Sequence, residues 1–169
     1  MDTGLMISPQ TFRTWLKPRY EKIIETSRKI IPGLPAFLHT DGDALDMIPV
    51  IIESGFTILN PVQPECMDLN AVKCKFGRQL AFWGTVGVQH TLPFGTPQDV
   101  KAEVKLRVET GGIGGGLVLS PAQTLYSDVP WENVLAFFEA AEEYGDHHLK
   151  STLSTDRPSA HAPSQDKHR

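Results

Sequence analysis

Cysteine is scarce in this chain: Cys66 and Cys74 are the whole supply. Two thiols cannot frame a disulfide-stapled secreted module, and a reduced, cytoplasmic setting is expected. Positive charge is also in short supply. Sixteen Lys and Arg face twenty Asp and Glu, for a net charge of −4. With no basic stripe, a nucleic-acid partner is excluded as an expectation. No apolar run approaches the roughly 20 residues of a membrane helix. The opening MDTGLMISPQ lacks a basic stretch followed by an apolar one, so no signal peptide is read. What remains is 169 residues, 40% of them hydrophobic, enough for one domain with a real core.

The pattern along the chain is helix, then strand and helix in alternation. Ser8-Pro9 reads as a cap and first helical position. Phe12, Trp15, Leu16, Tyr20, Ile23 and Ile24 recur at helical spacing, with a kink expected at Pro18. Four strand-like runs follow: residues 34–39, 56–60, 80–84 and 117–119. Helices are expected at 44–54, from the Asp68 cap to about Lys75, from the Thr96–Asp99 capping box to about Thr110, and from Pro130 to near Gly145. Short apolar runs without clean alternation indicate strands buried on both faces of a parallel sheet, which makes the fold α/β. Residues 1–145 form the expected domain. Residues 146–169 hold no aromatic and only two leucines, and are expected to be a disordered tail. The run Gly111–Gly116 precedes a strand, whereas a phosphate loop follows one, so it reads as an αβ connection.

Parallel-sheet enzymes place their chemistry after the strand C-termini. His39 and Asp41 follow the first strand, Glu65 the second, Gln89 and His90 the third, and Gln123 the fourth. Imidazole and carboxylate can ligate a metal, so His39, Asp41 and Glu65 are candidate ligands. Glu65 and His90 are candidate proton-transfer groups. Gln89 and Gln123 can hydrogen-bond a polar substrate but do not titrate. Structural roles stand beside these: Asp41-Gly42 as a turn, Glu65 near a helix N-terminus, His90 capping a loop, and Cys74 packed in the core.

The stretches GLMISPQTFRTWLKPRYEKI, FLHTDGD, ILNPVQPECMD, KFGRQLAFWGTVGVQHTLPFGTPQDV and DVPWENVLAFFEAAEEYG, in this order, resemble the uroporphyrinogen decarboxylase family, which includes zinc-dependent, corrinoid-linked methyltransferases. The resemblance implies a (β/α)8 TIM barrel, here only its C-terminal four βα units with a leading helix. It implies a barrel half that is a fragment, pairs with another half, or self-associates. His39-Thr40-Asp41-Gly42 is similar to the methyltransferase branch's His-x-Cys-Gly, with Asp41 in the cysteine position. Gln123 falls where the decarboxylases carry a histidine and the methyltransferases a Cys or His. The resemblance therefore implies zinc and a corrinoid protein partner for methyl or one-carbon transfer to a small-molecule substrate. A decarboxylase acting on porphyrinogen acetates would need neither.

Overall fold

The structure, a computed structural model, describes residues 4–155, with side chains through 145. Four parallel strands form one sheet in the order β1-β2-β3-β4. They are β1 (Phe37–His39), β2 (Ile58–Asn60), β3 (Ala81–Trp83) and β4 (Leu117–Val118). Helices separate them: α3 (Ile48–Glu53) behind a 3-10 turn at Leu45–Met47, then α4 (Leu69–Phe76), a short α5 (Thr91–Phe94), and α6 (Pro97–Gly111). A short α1 (Pro9–Thr11) and α2 (Lys17–Ile30) precede the sheet, and α7 (Trp131–Thr155) follows it. The sheet is open among the described residues: it is part of a TIM barrel, not a closed one.

Register explains how two residues per strand decide the packing. Leu38 pairs with Leu59, and Phe82 with Leu117. Leu59 and Phe82 are fully buried beneath the helices, among Ile48, Ile51, Leu69 and Val72. The alternate positions face the other way, toward what would be the inside of a barrel. There Phe37 and Trp83 meet edge to face at 5.2 Å between ring centroids and stay substantially exposed, as does Val118. A second apolar cluster joins Val86, Leu92, Val100, Val104, Ala136, Phe137 and Ala140, holding α6 and α7 together.

The local signals act as expected at most helix starts. Ser8 and Asp68 accept the N–H of Thr11 and Asn70. Thr96 and Asp99 form a reciprocal capping box. The disturbance expected at Pro18 takes a different form. Residues Phe12–Leu16 are π-helical, and Pro18 sits in the first turn of α2, where its missing N–H is harmless. The chain widens the turn before the proline instead of kinking at it. Strand β1 is shorter than residues 34–39, because Pro35 has no N–H for a ladder. The end placed near Gly145 is a correction: α7 continues to Thr155. One internal glycine costs only about 1 kcal/mol, too little to stop a long helix. The segment set apart as a tail thus begins on α7, and its residues 156–169 lie outside the described residues. Among the described residues, no helix is long and apolar enough to cross a membrane.

Candidate functional site

The sheet curls enough for the loop after β4 to reach the loop after β1. Gln123 Nε2 donates to Asp41 Oδ1 and lies 3.4 Å from His39 Nε2. His39 Nε2 is also 3.4 Å from Asp41 Oδ2. Three residues predicted from strand ends thus converge at one mouth. His39 and Asp41 are exposed, while Gln123 is half-buried.

A fourth residue, which the sequence reading did not single out, holds the cluster from behind. Asn60, the last residue of β2, places Oδ1 2.6 Å from His39 Nδ1. Its Nδ2 donates to the Trp83 backbone carbonyl at 2.9 Å. Gly84 makes room for it. Its φ is +78°, and a Cβ there would stand 2.7 Å from Asn60 Nδ2. The available signal was a polar residue closing the apolar run of β2, on the strand next to His39.

Glu65 belongs to a neighbouring arrangement. Its Oε1 accepts the backbone N–H of Gln89 at 3.2 Å. Its Oε2 is buried without a hydrogen-bond partner. Gly87 lies against it closely enough that a Cβ would stand 2.7 Å from Oε1. The Gly87 N–H itself goes to Glu103, which also binds Arg107 at 2.9 Å. Gln89 therefore enters through its backbone. His90 is exposed at the N-cap of α5, where its side chain caps nothing. Among the described residues, no hydrogen bond or ion pair joins Glu65 or His90 to the His39 cluster.

A cavity of about 480 Å³ opens beside His39 and Asp41. Leu5, Met6, Phe12, Leu16 and Tyr20 wall it on the leading-helix side. Thr40, Asp43 and Met47 close the other side. Among the described residues, no Lys or Arg lines it. The arginines of the leading helices have structural partners: Arg13 binds Glu53 at 3.0 Å, Arg19 the Trp15 carbonyl, and Arg28 the carbonyls of Leu34 and Gly55.

Zinc takes four donors in closed sites and three plus water in catalytic ones. Here two ionisable donors converge, and the third approach is an amide turned with its N–H inward. Among the described residues, no three His, Cys, Asp or Glu side chains gather in a metal-sized group. Neither cysteine supplies a thiolate to the cluster: Cys66 is half-buried against the core, and Cys74 is on the exposed face of α4, 3.8 Å from Asn70 Oδ1. The core position expected for Cys74 is thereby corrected; the buried face of α4 is taken by Leu69, Val72 and Phe76. Among the described residues, the converging donors fall short of the three protein ligands that a catalytic zinc takes.

Residues 2–144 match the uroporphyrinogen decarboxylase (URO-D) family. The chain belongs to that family. A uroporphyrinogen decarboxylase of Nostoc punctiforme is 24% identical over 137 residues, covering 81% of this chain and 37% of the relative. A solved methyltransferase from Methanosarcina mazei is 26% identical with a TM-score of 0.65. That match covers 82% of this chain and 38% of the methyltransferase. The chain thus spans less than two fifths of either relative. A decarboxylase and a methyltransferase thus both stand among the similar proteins, and the fold is that of a URO-D barrel segment.

Proposed function

We propose that this URO-D domain serves methyl or one-carbon transfer from a corrinoid protein partner to a small nucleophilic substrate, without a resident zinc. The observation that carries the reading is the mouth itself: an imidazole–carboxylate pair beside an apolar cavity with no cationic side chain in its wall. The methyltransferase likeness supports it. A porphyrinogen bears several carboxylates, and its site needs converging positive charge to hold them. The arginines of the leading helices are committed to Glu53 and to backbone carbonyls.

The corrinoid would supply the methyl group; this chain's residues position the acceptor and take its proton. His39 Nε2 accepts the proton from the incoming nucleophile, and Asp41, 3.4 Å away, stabilises the imidazolium that results. Gln123 fixes the carboxylate by donating to Oδ1. Glu65 braces the loop after β3 through Gln89.

The mouth is completed by a second β/α half. The exposed faces of Phe37, Trp83 and Val118 are inward-facing barrel positions that a partner half would cover. The experiment is methyl transfer from methylcobalamin to a thiol, assayed with the chain alone and with the missing half supplied in trans. Turnover should require the added half and fall at least tenfold in His39→Gln. Porphyrinogen decarboxylation by the same preparation would instead establish the second reading, which the Nostoc relative favours.

A further inference from the structure

The direction of every hydrogen bond behind His39 follows from one backbone atom. The Trp83 carbonyl can only accept, so the Asn60 group 2.9 Å from it is the amide NH2. Asn60 must then present its oxygen to His39 Nδ1, 2.6 Å away. An amide oxygen accepts and never donates, so the neutral imidazole carries its proton on Nδ1. Nε2 is left as a lone pair facing the mouth. The far side agrees: Gln123 directs its Nε2, with two hydrogens, at both Asp41 Oδ1 and His39 Nε2. Asp41 Oδ2, 3.4 Å from the same Nε2, is placed to accept from that atom once it has taken up a proton.

We infer that Asn60, held in place by the Trp83 carbonyl and Gly84, is a positioning residue that fixes His39 as the Nδ1–H tautomer with a bare Nε2. Free imidazole side chains favour the opposite tautomer, so the protein must enforce this one. Among the described residues, no other hydrogen bond reaches Nδ1. Gly84 is part of the device because any side chain there would strike Asn60 Nδ2 at 2.7 Å, and its φ of +78° is strained for other residues. The consequence for chemistry rests on the function proposed above, since only a bare Nε2 can accept a proton at the mouth. The tautomer itself is observable without turnover, so the two ideas fail separately.

The test is a two-bond 1H–15N correlation spectrum of the full chain labelled at the histidine rings, near neutral pH. The His39 signals are assigned by their loss in His39→Gln. Wild type should give the Nδ1–H pattern. Asn60→Ala and Gly84→Ala should each raise the Nε2–H population several-fold, the second without altering either hydrogen-bonding residue. Gln123→Ala should leave the tautomer in place, because Asn60 sets it. An Nε2–H pattern in wild type, or an unchanged tautomer in folded Asn60→Ala, overturns the inference. The wild-type spectrum decides even if a variant fails to fold.

Discussion

The Glu65 carboxylate accepts the Gln89 backbone N–H at 3.2 Å, tying the loop after β2 to the loop after β3. Its other oxygen is buried without a hydrogen-bond partner. Glu65→Ala removes the acceptor and strands a half-buried N–H. The expected loss is about 1–3 kcal/mol, the cost of an unmade buried hydrogen bond. Urea unfolding measures it; an unchanged midpoint and slope would show that the tie contributes nothing.

The capping box of α6 gives a second prediction. Thr96 and Asp99 each bind the other's backbone. Thr96→Ala should lower stability by about 0.5–2 kcal/mol, and Thr96→Ser by much less. Thermal melts of the pair are sufficient, and equal losses in both variants would contradict the cap as the cause.

Acid should weaken the fold through Asp99 and Glu53. The Thr96 hydroxyl and backbone N–H hold the Asp99 carboxyl below its ordinary value, and the Arg13 guanidinium does the same for Glu53. A carboxyl lowered on folding contributes stability that is present above its unfolded value. That contribution is lost as pH falls through the folded value. Lys101 works at the other end. Glu139 raises it, so its contribution is present below the ordinary lysine value and lost as pH rises through the raised one. Asp99→Asn and Glu53→Gln should flatten the acid limb of a stability–pH curve, and Lys101→Met the alkaline limb. Unaltered limbs would reject these assignments.

Metal content offers a fourth. Purified protein dialysed against a weak chelator should carry no stoichiometric zinc by elemental analysis, because among the described residues only His39 and Asp41 converge as ionisable donors. One zinc per chain, lost in His39→Ala, would restore the thiolate-branch reading in modified form.

The order of elements was legible because apolar runs and caps are local. Asp68, Thr96 and Asp99 act through residues two or three positions away. The meeting of His39, Asp41 and Gln123 was legible as a rule of position, since all three end strands of one parallel sheet. Asn60 was not, because its role depends on a backbone carbonyl 23 residues further on. The separation of Glu65 from His39 was equally hidden. Strand-end position puts a residue at the mouth but does not say which way its side chain turns. At Gly145 the sequence misled, since a lone glycine weakens a helix without forcing the chain out of it, and Gly145 is not among the positive-φ glycines.

The helices outnumber the strands. α2, α3, α4, α6 and α7 accompany only four strands, because α2 precedes β1. A closed barrel of eight strands has room for eight such helices in its outer ring. Two copies of the described helices would bring ten to such a ring, two more than it holds. Apolar side chains stand exposed on two of these helices: Ile23 and Ile30 seven residues apart on α2, and Trp131, Leu135 and Phe138 along one face of α7. The described residues thus leave apolar side chains uncovered on the helix before the sheet and on the helix after it, on elements that differ in length and sequence.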